Sequence, residues 1–227
     1  MTVAPTSNAD LLHETCARGS ALHAAGRFSE ALAAFDAALA IDPRRGEAHL
    51  GRGQALRQMR RYEEAVLSYD RALAISPGLV AAFNNRALAL QDMQQFEAAL
   101  EGFDRALRIA PDNAEIRFNR GYLLLLLGRF AEGWPEYEWR RKRANAEHKP
   151  WARPEWRGED IAGKRILLHC EQGFGDTLQF ARFARLVEER GAQVILAAQR
   201  SLGALLRRLD CTATIVQPGE TLPEFDL

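Results

Sequence analysis

The chain has 227 residues, 47% of them hydrophobic and 26% charged, with 30 basic and 30 acidic side chains and no formal net charge. That length holds one large domain or two small ones, each able to bury its own core. The neutral balance argues against a nucleic-acid or anionic-membrane binder, which would rely on a basic field, and the apolar content argues against disorder.

The start, Met1 to Asp10, has neither the basic stretch nor the apolar stretch of a secretory leader. Cys16, Cys170 and Cys211 are odd in number, far apart and outside any CxxC pair. That disfavours a disulfide framework or a metal site and points to a reducing compartment. The longest apolar run, Tyr122 to Leu127, is too short to span a bilayer. A soluble, cytoplasmic protein with no membrane span is expected.

Three segments align without gaps: Gly26 to Pro43, Arg60 to Pro77 and Gln94 to Pro111, each starting 34 residues after the last. Within each, apolar residues recur on one helical face: Ala31, Leu32, Phe35, Ala38 and Leu39 in the first, with counterparts around Tyr69 and Phe103. Second helices are expected at roughly 8–24, 46–58, 80–92 and 114–127. Each carries a small residue at one position (Gly19, Gly53, Ala87, Gly121), which lets its partner helix approach. Phe28, Tyr62, Phe96 and Phe130 are expected to fill the turns.

This period and these small, aromatic, alanine and proline positions resemble tetratricopeptide repeats, over about 1–143, in four units at about 12–45, 46–79, 80–113 and 114–143. The fourth departs, with Gly133 in place of the helix alanine, Pro135 inside and no closing proline, and is expected to cap the array. The resemblance implies a curved solenoid whose concave face, lined by the first helix of each pair, binds a peptide or protein partner. Family positions on that face map to His13, Glu47, Ala81 and Glu115, then Cys16, Leu50, Asn84 and Phe118, then Ser20, Gln54, Leu88 and Tyr122. Asn85 and Asn119 stand one repeat apart and resemble the asparagine ladder of O-linked N-acetylglucosamine transferase. A repeated amide of that kind bonds a ligand backbone regardless of its sequence. The candidate peptide site is therefore Asn84, Asn85, Phe118, Asn119 and Tyr122. The Lys/Arg clamp of chaperone-tail receptors is absent. Arg18, Arg52, Arg86 and Arg120 recur at one position, either as a basic stripe for an acidic ligand or, as expected here, with stems covering neighbouring helices and guanidinium groups paired to nearby acids.

All four tryptophans, Trp134, Trp139, Trp151 and Trp156, fall in a stretch that also holds Arg140 to Arg143, Pro150 and Pro154. Basic residues between aromatics can bind single-stranded nucleic acid. The stronger expectation is an irregular docking linker over 144–162, with no nucleic-acid partner.

After Gly163 the pattern turns to strands and helices. Strands are expected at Lys164 to Cys170, Gln193 to Ala198 and Ala213 to Val216. A glycine loop is expected at Glu171 to Thr177, and helices at Leu178 to Arg190 and Ser201 to Leu209. This spacing implies parallel pairing. Asp176 suits a helix N-cap, with Gln179 completing a capping-box-like pair. The fold class is thus mainly α, a four-unit α-solenoid followed by a partial α/β Rossmann-like segment over 163–227.

The run from Gly128 to Arg140, then Trp156-Arg-Gly, then Ile166 to Arg182, resembles bacterial proteins in which tetratricopeptide repeats precede a heptosyltransferase-like (GT-B) glycosyltransferase domain. The resemblance implies an acceptor loop of Gly173, Gly175, Asp176 and Thr177, with Asp176 as the base that deprotonates an acceptor hydroxyl. Those transferases hold the nucleotide-sugar donor mainly in a C-terminal domain. Only three strands appear before Leu227, leaving a sheet edge unprotected, so the expectation is a fragment of a longer protein or a remnant. The leading reading is a protein-interaction scaffold with no cofactor or metal of its own. The alternative is a glycosyltransferase using a nucleotide-sugar donor, of which this chain is a part, with the repeats recruiting the acceptor.

Overall fold

A computed structural model describes residues 7–144, 153–170 and 173–227, which divide into two compact units, Met1–Ala146 and Glu147–Leu227. In the first, eight helices form four hairpins: α1 (Asn8–Ala24) with α2 (Phe28–Ile41), α3 (Gly46–Gln58) with α4 (Tyr62–Ile75), α5 (Val80–Asp92) with α6 (Phe96–Ile109), and α7 (Ala114–Leu126) with α8 (Phe130–Tyr137). Each hairpin also packs against the next, so the core is a continuous seam.

Local chemistry sets the helix ends. Ser7 closes a capping box with Asp10, and the Asn113 side chain accepts the backbone N–H of Ile116 at the start of α7. The second helices of three hairpins open differently. Arg27, Arg61 and Arg129 each donate two hydrogen bonds, between 2.6 and 2.9 Å, to Glu30, Glu64 and Glu132 three residues on. In all four hairpins the residue two before the second helix is left-handed: Gly26, Arg60, Gln94 and Gly128 have φ of 74°, 60°, 60° and 74°. Glycine suits two of these turns; Arg60 and Gln94 adopt the same conformation with a side chain, at a cost of about 1–2 kcal/mol each.

In the first two hairpins a glycine faces a large ring. A methyl group added at Gly19 would lie 2.8 Å from the Phe35 ring, and one at Gly53 would lie 2.5 Å from that of Tyr69. Phe35, Tyr69 and Phe103 are all buried. Three of the recurring arginines pair with acids on the preceding helix: Arg52 with Asp36 at 2.7 Å, Arg86 with Asp70 at 2.6 Å and Arg120 with Asp104 at 2.6 Å. They serve as bridges between hairpins. Arg18 is exposed.

The fourth hairpin ends the seam. Phe28, Tyr62 and Phe96 are half-buried, but Phe130 is 58% exposed. Its expected turn-filling role fails because no fifth hairpin stacks on it among the described residues. Pro135 lies inside the eight-residue α8, which passes into a 3₁₀ turn over Glu138–Lys142.

The second unit is a parallel sheet in the order β1 (Arg165–His169), β2 (Gln193–Ala197), β3 (Thr214–Val216). Between β1 and β2 lie α9 (Phe174–Ala181) and α10 (Ala184–Glu188). A 3₁₀ turn over Arg200–Leu202 and α11 (Gly203–Leu206) link β2 to β3. Val194, Ile195 and Leu196 are all buried, so β2 has both faces covered, as its unbroken apolar run requires. On one face Ile166 and Val194 pack with Ile161, Ala184, Val187 and Trp156; on the other, Leu167, Ile195 and Val216 meet Leu222 and Phe225.

Two sequence expectations are corrected in this unit. The edge of β1 is not bare: Leu167 N–H donates to the Leu227 carbonyl and Asp226 N–H to the Arg165 carbonyl, both at 2.8 Å. Asp176 is not an N-cap, and no capping box forms with Gln179. Helix α9 begins at Phe174, with extended Gly173 as its cap residue, so Asp176 sits inside the first turn. Two glycines in sequence suggest a loop, yet only Gly173 stays outside the helix. Glu171 and Gln172 of that loop, and Pro150 and Trp151 of the tryptophan-rich stretch, lie outside the described residues.

Two core substitutions test this packing. Phe103→Ala should lower unfolding free energy by about 3–5 kcal/mol, read from the denaturation midpoint. Tyr69 is fully buried and its hydroxyl has no hydrogen-bond partner among the described residues. Burial raises its pKa, Arg57 opposes and Asp92 adds to the rise. Tyr69→Phe should therefore stabilise the protein by about 1–3 kcal/mol. The raised phenol also sets a sign: its contribution is full below the unfolded value near pH ~10 and falls as pH rises beyond it. The denaturant midpoint of Tyr69→Phe should accordingly decline less than that of wild type above pH ~10.

Candidate peptide-binding face

Helices α1, α3, α5 and α7 touch one another in sequence along the stack, which makes them its closer-spaced layer. A stack bends toward the layer whose members sit closest, and this is the layer the sequence assigns to ligand. Along it lie Asn84 and Asn85 on α5 and Phe118, Asn119 and Tyr122 on α7, and hydrogen bonds join the three asparagines.

The three amides form a relay between hairpins. Asn119 Nδ2 donates to Asn84 Oδ1 at 3.1 Å, and Asn84 Nδ2 donates to Asn85 Oδ1 at 3.3 Å. All three are half-buried. The link thus runs diagonally, through Asn84, rather than directly between the repeat-related Asn85 and Asn119. The relay leaves the Asn85 amide as a donor at one end and the Asn119 carbonyl as an acceptor at the other. Leu88 is half-buried beside them and Tyr122 is 51% exposed.

Phe118 has a different setting. Its ring lies 5.3 Å from that of Tyr137, and the Arg143 guanidinium stacks 4.4 Å above it. Arg143 is held by a two-pronged bond to Glu115, at 2.6 and 2.9 Å. Trp139 lies under Arg117 at 4.6 Å and Lys142 at 3.9 Å. The segment after α8 therefore folds over the end of α7, pairing Glu115 with Arg143 and packing on Phe118, two positions that the repeat pattern alone leaves open to ligand. No periodic signal marks Arg143, since its counterparts in the first three units are Ile41, Ile75 and Ile109.

Of the tryptophans, Trp134 and Trp139 belong to the helical unit. Trp156 belongs to the α/β unit, where its indole N–H donates to the Glu159 carbonyl at 2.9 Å. In that unit Gly173, Gly175 and Asp176 are exposed at the carboxyl end of β1, whereas Thr177 is buried and donates to Gln199 Oε1 at 2.9 Å. Among the described residues no group of three or more His, Cys, Asp or Glu is placed to hold a metal. No helix among them is long and apolar enough to cross a membrane.

Models of the tetratricopeptide repeat match residues 16–80, 80–113 and 103–134, together more than half of the chain. The chain belongs to the tetratricopeptide repeat family. It is 38% identical over 102 residues to protein FlbA of Caulobacter vibrioides, a match that takes in 43% of this chain and 17% of that protein. Among solved structures, the first tetratricopeptide domain of Spaghetti (RPAP3), bound to the HSP90 peptide SRMEEVD, superposes with a TM-score of 0.51 at 18% identity. That match covers 55% of this chain and 99% of that one. TTC0263, a thermophilic tetratricopeptide protein of Thermus thermophilus, superposes with a TM-score of 0.54 at 21% identity, covering 58% and 73%. At these identities the likeness is one of fold.

The relay itself is testable without a ligand. Asn84→Ala removes both of its hydrogen bonds, which should cost about 1–2 kcal/mol. Asn84→Asp retains the acceptor for Asn119 but loses the donor to Asn85, so it should fall between the two. Urea midpoints of the three proteins check the order.

Proposed function

We propose that the helical unit is a protein-interaction scaffold that holds an extended peptide along α5 and α7. The observation that carries this reading is the amide relay. Its members orient one another, so the Asn85 donor and the Asn119 acceptor are set before a ligand arrives and lose little freedom on binding. A peptide group presents the complementary acceptor and donor, whatever its side chain. Leu88 and Tyr122 beside the relay offer apolar contact. Binding of a peptide by a protein of the same fold, the Spaghetti domain, supports the reading.

The test begins with peptides selected from a displayed random library on the full chain. Their dissociation constants should rise about 10- to 100-fold in Asn85→Ala/Asn119→Ala, equivalent to about 1–3 kcal/mol for two buried bonds. Constants unchanged in that variant would remove the amides from the site.

A second reading concerns the α/β unit, in which residues 163–227 are a partial Rossmann-like layer of a glycosyltransferase that takes a nucleotide-sugar donor. The parallel β1–β2 and β2–β3 pairs, and the exposed Gly173, Gly175 and Asp176 where β1 gives way to α9, favour it. Asp176 would then act as base toward an acceptor hydroxyl, with Thr177 held in place by Gln199. Because Asp176 makes no capping bond, Asp176→Asn should melt with the wild type while lowering sugar transfer about 100-fold or more. Unchanged transfer would leave Asp176 a surface residue.

A further inference from the structure

The helical unit makes one contact between hairpins three times over. In each, a residue on the first helix of a hairpin enters the core of the hairpin before it. Ala55 packs with Ala31 and Phe35, Ala89 with Ala65 and Tyr69, and Leu123 with Ala99 and Phe103. Leu32 of the first hairpin also packs against the core of the second, and Val66 of the second against that of the third. An arginine then bridges back to an acid on the preceding helix, Arg52 to Asp36, Arg86 to Asp70 and Arg120 to Asp104.

The two ends of the stack carry the unmatched halves of this contact. On the front, α1 presents Ala21, the counterpart of Ala55, Ala89 and Leu123; those three are buried, and Ala21 is exposed. Arg18, the counterpart of the bridging arginines, is exposed and makes no ion pair among the described residues. On the rear, Gly133 and Tyr137 stand where the first hairpin has Ala31 and Phe35, and Trp134 stands in the place of Leu32 and Val66. Trp134 is 51% exposed, and Leu126 and Phe130 of the same hairpin are 57% and 58% exposed. Glu138 takes the place of Asp36, Asp70 and Asp104. A terminal unit with large apolar side chains on its outer face has no polar cap of its own.

We infer that the rear face of the fourth hairpin receives the front face of a second copy of this chain, stacked as successive hairpins stack within it. Ala21 of the second copy then enters beside Gly133, Trp134 and Tyr137, and its Arg18 lies by Glu138. Front and rear are different surfaces, so the contact is head-to-tail, and each added copy presents a fresh rear face to the next. Joining two rear faces would reproduce no contact that the chain already makes. Two features keep the association weak. Glu14 stands where Ala48, Ala82 and Ile116 are buried, so stacking desolvates a carboxylate. Glu138 is already engaged by Arg140 and Arg141, at 2.6 and 3.3 Å, so Arg18 has only a share of it. The apolar contact at Trp134 therefore carries the association.

Sedimentation velocity of the full chain over a concentration series tests this. The weight-average mass should rise from 25.4 kDa past twice that value, without levelling at a dimer. Ala21→Arg spoils the front face alone and Trp134→Arg the rear face alone, and both positions are exposed, so both variants should fold. Each by itself should stay monomeric. An equal mixture should form one-to-one pairs and nothing larger, which also shows that both are folded. Glu14→Ala, which restores the residue buried in the second and third units, should tighten association at least tenfold. The proposal is overturned by a monomer at millimolar chain concentration, by a mass that stops at the dimer, or by either arginine variant associating as wild type does. A mixture that fails to pair, or a Glu14→Ala chain that associates no more tightly, overturns it equally.

Discussion

The helical unit depends on one crossing, repeated four times, in which a residue with little or no side chain lets the partner helix come close. In the first two hairpins that approach brings an aromatic ring against glycine, at Gly19 with Phe35 and Gly53 with Tyr69. In the fourth, a methyl at Gly121 would meet the backbone of Glu136 and Tyr137 at under 3 Å. Ring and backbone are rigid at such distances, so the crossing cannot slide, and the spacing of the helices follows from it. The seam of buried alanines, Ala31, Ala65 and Ala99, is set by the same closeness.

A constraint this tight has consequences when its terms are exchanged. Placing Ala87 where the other hairpins have glycine forces Gly102 opposite, and Gly102 in turn leaves Arg86 with a single acid partner. A change of one methylene-scale volume at a helix crossing thereby accompanies a cavity of about 470 Å³ lined by paired charges, Arg86 with Asp70 and Arg105 with Glu101. At the end of the array the opposite happens. Glu136 is larger than its counterparts, meets both Arg117 and Arg120, and is nearly buried, which closes the last groove. Charged side chains in this unit are therefore parts of the packing as well as of the surface.

The α/β unit is organised by its central strand. β2 is apolar along its length because helices cover one face and the segment from Leu222 to Phe225 covers the other. The last residues then satisfy β1 from the side away from β2, through Asp226 and Leu227. One sheet face and one edge are thus met by a short stretch of chain that carries no regular secondary structure of its own.

Periodicity makes the helical unit legible. A 34-residue repeat in small, aromatic and proline residues places helices to within a residue or two, because those positions answer to a local crossing that every unit must make. The three strands are readable for a similar reason, as short apolar runs bounded by turns. The start of α9 is not, since glycine permits both loop and helix and only Gly173 is left outside. Residue types also place Asn84, Asn85 and Asn119 on one face, but not the diagonal bond from Asn119 to Asn84, which depends on how far adjacent hairpins are offset. Arg143 over Phe118, and the cavity beside Arg86, are equally invisible. The first joins the irregular end of the fourth unit to its first helix, and the second arises from a side chain that is missing. Sequence alone determined which residues recur; tertiary structure decided which recurring residues are already occupied, because occupancy depends on the neighbour across the crossing rather than on the position itself.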